Sequence, residues 1–245
     1  MVVVGRGGQP WWRVGWRRFF WYFALPTGVT GILAAMYFSG VPVLQAFVAA
    51  PDIEGISLYS RREFGALEML QNAVLLGVVI VAVLSVFRHP DKTVRGMMVA
   101  VALGATFLLL EEMDYGMHIY RWWSRAPADE MARVNLHNKG RLTHYIKAVG
   151  TGGAVALFIV APFVLRTSTN RWVRYIVPHW SLGLVLLSAL LIRSAVHELA
   201  GRGLGRGLEN NLSEFREVLM YYLGLAYTVV LSRRVPGDAG GESAG

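Results

Sequence analysis

The stretch GMMVAVALGATFLLLEEMDYGMH, residues 96 to 118, decides what kind of protein this is. From Gly96 to Leu110 it is apolar except for Thr106, and Glu111, Glu112, Asp114 and His118 follow at once. At about 1.5 Å per helical residue, such a run covers most of a hydrocarbon core roughly 30 Å thick. An ionised carboxylate at the centre of a bilayer costs about 2.5–3.5 kcal/mol on insertion scales, so acids near the end of the run need partners, water or a proton. The sequence therefore predicts a membrane helix that carries its chemistry at one end.

The rest of the chain fits that reading. Of 245 residues, 54% are hydrophobic and 16% are charged, against roughly 25% charged in an average soluble domain. Six apolar segments approach spanning length, at about 19–42, 66–87, 96–119, 146–165, 175–198 and 215–232. The expected fold is an all-α integral membrane protein, one bundle of about six transmembrane helices over residues 19–232. A short interfacial or re-entrant helix is expected within 120–145, and the tail 233–245 reads as a flexible linker. Pro26 and Pro42 are expected to break the first span. Ahead of it, the basic leader GGQPWWRVGWRRFF carries Trp11, Trp12, Trp16 and Arg17, which suit an interfacial collar or a docking surface for a partner subunit. No cleavage site follows, so the first span is expected to stay. The chain has no cysteine, which excludes thiolate chemistry.

A formal net charge of +8 would suggest nucleic acid in a soluble protein. Its distribution gives a simpler cause. With a cytoplasmic amino terminus, the inner segments hold twelve Lys and Arg against Asp91, Asp238 and Glu242, while the outer segments hold twelve against thirteen acids. The short inner loops are the denser in charge, which places both termini in the cytoplasm of a bacterial inner membrane. Membrane lipids and other membrane subunits are then the expected partners, and nucleic acid is not. The glycine-rich LAGRGLGRGLENNLS, residues 199 to 213, reads as a turn, because no strand precedes its glycines and no ribose-binding acid comes after them.

On a continuous helix, Glu111, Asp114, Tyr115 and His118 share one face, and Glu112 points about 100° away. The other spans bring polar groups to the same level. These are Glu68 and Asn72 on the second, Arg193 and His197 on the fifth, and Glu214 and Glu217 on the sixth, with Asn135, His137 and Asn138 on the segment between. The opposite half of the bundle reads as apolar. There the pairs Gly31 and Ala35, Ala100 and Gly104, and Gly150 and Ala154 are expected to let helices approach closely.

EEMDYG at 111–116, NLHN at 135–138 and LEMLQNAVLL from Leu67 resemble the marks of a family of bacterial polytopic membrane proteins with an EExxWG element and a downstream NLHN. The resemblance covers roughly residues 60–145, and NLHN is its most specific part. It implies a multipass topology and a polar cluster, and no particular reaction. Tyr115 stands where the family usually has Trp, Met117 replaces a usual Gln, and Arg133 stands where an acid often precedes NLHN. A retained fold with an altered motif is what a recruited accessory subunit would look like.

The expected function is a non-catalytic accessory or structural subunit of a larger bacterial membrane complex, for example respiratory or photosynthetic. The polar cluster then fixes helix register. The alternative is a membrane-embedded enzyme, a metal-dependent hydrolase in one form, acting on a lipid-linked or periplasmic substrate. Its catalytic residues would be Glu111, Glu112, Asp114 and His118. A metal would sit on Glu111, Asp114, His118 and His137, with His144 nearby, although no HExxH or paired ExxH spacing occurs. Bound lipids or pigments at the helix surface are the remaining candidates, with His179 and His197 as imidazole donors to a pigment. Ser194 one turn from His197 offers only a chance nucleophile pair.

Overall fold

The computed structural model describes residues 14–51, 64–116, 120, 123–124, 140–165, 167–204 and 212–236. The side chains of Asp114 and of 140–147 lie outside that description. The described residues form helices and no strand. Helix α1 spans Trp16–Phe38, α2 Pro42–Ala49, α3 Ala66–Arg88 and α4 Lys92–Glu112. Helix α5 runs through Gly140–Val155, a π-helical turn Ala156–Val160, and Ala161–Val164. Helices α6, α7 and α8 are Arg171–Ile176, Gly183–Gly201 and Glu214–Arg233.

Four helical stretches among the described residues are long and apolar enough to cross a membrane: α1, α3, α4 and Arg171–Gly201, which joins α6 to α7. Ala148–Val164 is apolar but shorter. The chain is an all-helical membrane protein. Helix α8 has 20 residues and is not one of those four; it opens on Glu214, Arg216 and Glu217. Its position explains how the bundle tolerates it. Helix α8 contributes Phe215, Val218 and Leu219 to a core shared with α1, α2, α3 and α7, Leu223 to one shared with α5 and α7, and Leu231 to one shared with α3, α4 and α6. Within α8 only Arg233 is exposed, so its other polar groups can be satisfied by protein instead of facing lipid.

Pro26 does not break α1. A π-helical turn over Phe20–Ala24 absorbs it, with Leu25 N–H bonded to the Phe20 carbonyl five residues back. In that register the next donor would be Pro26, which has no N–H, so the Trp21 carbonyl is left open. The Tyr222 hydroxyl of α8 fills it at 2.7 Å. Helix α5 repeats the device, since its π-turn also ends two residues before a proline, Pro162. There the Leu157 carbonyl loses its helical donor in the same register, and Gly183 packs onto that turn. A Cβ at Gly183 would lie 2.6 Å from Ile159 Cδ1 and 3.1 Å from Phe158 O. Pro42 opens α2 after α1 has already ended at Phe38, with Gly40 at φ 75° between them.

The expected small-residue contacts are mostly corrected. Gly31 faces Ile192, with 3.9 Å from a built Cβ. Ala35, Ala100, Gly104 and Gly150 are instead exposed, and a Cβ at Gly104 or Gly150 would meet nothing within 4 Å.

Candidate functional site

The acids of the opening stretch lie at the end of α4, but not on a helix that continues to His118. Helix α4 starts at Lys92, stops at Glu112, and gives way to a short 3-10 turn over Asp114–Gly116. Tyr115 sits at φ 54°, ψ 28° and Gly116 at φ 79°, both left-handed. A left-handed residue with a Cβ costs roughly 1–2 kcal/mol and ends a right-handed helix. The continuous helical face expected for Glu111, Asp114, Tyr115 and His118 is therefore interrupted at Tyr115. Counted from Gly96, where the apolar run begins, Glu111 lies about 22 Å along the helix. Burial of Glu111, only 1% exposed, is by protein.

What that end contains instead is a set of ties. The Tyr115 hydroxyl, brought back by the left-handed turn, donates to Glu111 Oε1. That hydrogen bond, then burial, then the carboxylate's charge raise the Tyr115 phenol above its ordinary value of 10.0. Tyr221 of α8 donates to Glu112 Oε1 at 2.5 Å, so Glu112 joins the cluster it was expected to point away from. Gln71 of α3 donates through Nε2 to the Glu214 side chain at 2.7 Å and to the Glu214 carbonyl at 3.2 Å. Glu68 and Glu217, one turn from these, are also half-buried and engaged. Three buried atoms here have no hydrogen-bond partner among the described residues: Gln71 Oε1, Asn72 Oδ1 and Arg216 Nε.

Arg193 and His197 do not join. Both are exposed on α7, whose buried positions Val185, Ala189, Ile192 and Val196 define a face one residue away. Ser194 is exposed beside them, and Glu198 pairs with Arg202 at 2.9 Å on the surface. His118, Asn135, His137 and Asn138 lie outside the described residues, as does the side chain of His144. Among the described residues no group of three metal-binding side chains occurs. His179 caps a turn through Nδ1, accepting from Ser181 N–H at 3.2 Å.

Searches of protein-family models, curated proteins and solved structures found no match. A function for this chain therefore rests on its own geometry.

The opposite end of the bundle holds a second knot that the sequence did not announce. His89 is buried, with Nδ1 accepting from Asp91 N–H at 3.1 Å and Nε2 donating to the Arg234 carbonyl at 2.8 Å. That pattern places a ring hydrogen on Nε2 and leaves Nδ1 as the acceptor. Arg234 reaches the Tyr175 and Val177 carbonyls at 3.3 and 3.1 Å. The Tyr175 hydroxyl donates to Leu231 O at 2.9 Å, and Tyr227 donates to Ile176 O at 2.6 Å. The loop after α3, helix α6 and the end of α8 are bound together through backbone carbonyls. Such bonds leave no residue pattern to search for, beyond tyrosine and histidine in apolar surroundings.

Proposed function

We propose that the protein is a non-catalytic structural subunit of a larger complex in a bacterial inner membrane, with its basic end in the cytoplasm. The observation that supports this is how the acids are used. Glu111, Glu112 and Glu214 each accept from a donor held by the fold, Tyr115, Tyr221 and Gln71. A general base must reach the proton it abstracts on a substrate. Glu111 is engaged by the turn that ends its own helix, while Glu112 and Glu214 tie α4 and α3 to α8.

A subunit also needs a face for its neighbour, and α4 supplies one. Its spanning window is 17% buried, against 56% for Arg171–Gly201. Gly96, Ala100 and Gly104 recur at four-residue spacing on its exposed side. Small residues at that spacing let a second helix bring its backbone close, and packing of this kind drives helix association where lipid removes the hydrophobic contribution. A transmembrane helix of the partner subunit packs on this face.

The test uses Gly104→Leu. No neighbour lies within 4 Å of a Cβ there, so the isolated chain should keep its thermal stability. Its stoichiometric partner, recovered from wild type in mild detergent and identified by mass spectrometry, should be lost. Recovery of an intact complex from the variant would remove this face from consideration. A wild-type chain that purifies without any stoichiometric partner would remove the subunit function altogether.

A further inference from the structure

Where α3 and α8 end side by side, they leave a groove of about 430 Å³ open to the surroundings. Its character changes along the helix axes. Val81 and Leu84 of α3 and Val229 of α8 form apolar walls, and one to two turns further along, about 6–10 Å, Arg88 and Arg233 line it. Both serines that line it are turned inward. Ser85 Oγ donates to Val81 O at 2.6 Å and Ser232 Oγ to Val229 O at 2.8 Å, each within its own helix. His89 spends both ring nitrogens on backbone groups. The groove thus offers an apolar slot with two guanidinium-bearing residues at one end.

Those two cations lack counter-charges. Arg88 and Arg233 are exposed, and neither makes a hydrogen bond or ion pair with described residues. Around them, the described segments 88–95, 167–176 and 233–236 carry seven Lys and Arg and one acid, Asp91. Asp91 is committed, because its Oδ1 caps α4 by accepting from Thr93 and Val94 N–H at 2.8 and 3.1 Å. Each arginine is the last residue of its helix, where the backbone contributes roughly half a negative charge. Two full positive charges exceed that, so the mouth stays attractive to an anion.

We propose that this groove binds one anionic phospholipid, with its phosphate between Arg88 and Arg233 and an acyl chain against Val81, Leu84 and Val229. A basic pocket between helices at a membrane surface is the setting in which lipid headgroups are held specifically. Charge alone would attract any anion. The apolar slot running from the charged mouth towards the middle of the membrane selects a lipid. This assignment stands apart from the subunit function, since it uses the other end of the bundle and none of the acids.

The experiment uses the full chain in a neutral detergent and measures retained lipid by native mass spectrometry and thermal stabilisation on lipid titration. Phosphatidylglycerol should bind at one molecule per chain and stabilise, and phosphatidylcholine with the same acyl chains should do neither. At about a factor of five per basic residue near the surface, Arg88→Gln or Arg233→Gln should weaken binding about fivefold, and the double variant about thirtyfold. Lys92→Gln, an exposed cation outside the groove, should leave it unchanged. Leu84→Trp should close the slot and abolish binding without changing charge. Equal binding of phosphatidylcholine, equal stabilisation by inorganic phosphate, or full affinity in the double arginine variant would overturn the assignment. So would a loss in Lys92→Gln as large as that in Arg88→Gln, which would indicate diffuse attraction to a basic surface.

Discussion

Removing the Tyr221 hydroxyl isolates the tie between α4 and α8. Tyr221→Phe keeps the ring and deletes only the donor that sits 2.5 Å from Glu112 Oε1. Hydrogen bonds between neutral side chains of membrane helices average only about 0.6 kcal/mol in double-mutant cycles. Here the acceptor is a carboxylate, half-buried among protein, and bonds to charged groups contribute about 1.5–3 kcal/mol. The position at the helix end, with both partners only half-buried, favours the lower figure. We expect Tyr221→Phe to cost about 1.5 kcal/mol, and Glu112→Leu to cost little more, because it removes the charge along with the bond. The double variant should then cost less than the two singles together, with a coupling near 1.5 kcal/mol. The assay is denaturant unfolding in detergent followed by tryptophan fluorescence, supported by thermal melts. At about 2–4 °C per kcal/mol for a chain of this size, Tyr221→Phe should lower the midpoint by about 3–6 °C. Single losses that add to within about 0.5 kcal/mol would refute the tie, because residues without contact behave that way. The same variants would then have no bearing on bundle register, and the structural use of the acids would lose its support.

The proline-linked turns make two further outcomes checkable. Tyr222→Phe should cost about 1 kcal/mol by leaving the Trp21 carbonyl unpaired, and should cost almost nothing in a Pro26→Ala background, where position 26 regains an N–H; unfolding midpoints of the four proteins decide it. Gly183→Ala should cost about 1–3 kcal/mol, since the new Cβ would lie 2.6 Å from Ile159 Cδ1 and 3.1 Å from the Phe158 carbonyl. Thermal melts measure that loss, and a midpoint equal to wild type would mean that α5 and α7 can part without cost.

How far the sequence could be read depended on the kind of signal. Length and hydrophobicity located the helices, and Ala66–Arg88 and Glu214–Arg233 fall within a residue or so of the segments at 66–87 and 215–232. The end of α4 was missed by seven residues, although Gly116 is a stop signal. Helical spacing runs straight through that glycine, because no proline or polar turn stands between Glu112 and His118. Arg193 and His197 were drawn into the cluster by depth alone. The buried series Val185, Ala189, Ile192 and Val196 puts them one helical step to the side, and that series was legible. Nothing in the sequence pairs His89 with residue 234 or Tyr175 with residue 231. Those bonds end on backbone carbonyls, which every residue has, so side-chain identity carries no information about them.

The arrangement of α8 shows why both polar ends belong to one design. In lipid, apolar side chains gain little by meeting one another, because the tails they leave are equally apolar. Tight packing and interhelical hydrogen bonds then set which helix lies where. At its start α8 meets α3 through Gln71 and Glu214, in its middle α4 through Tyr221 and Glu112 and α1 through Tyr222 and Trp21, and towards its end α6 through Tyr227 and Ile176. Each bond fixes both rotation and height, since a slip of one residue would turn its donor by about 100° away from its acceptor. A helix held at both ends cannot slide or rotate without breaking ties along its whole length. Helix α4, packed along α3 on one side, is left with a fixed outward face on the other, as the proposed contact with a partner helix requires.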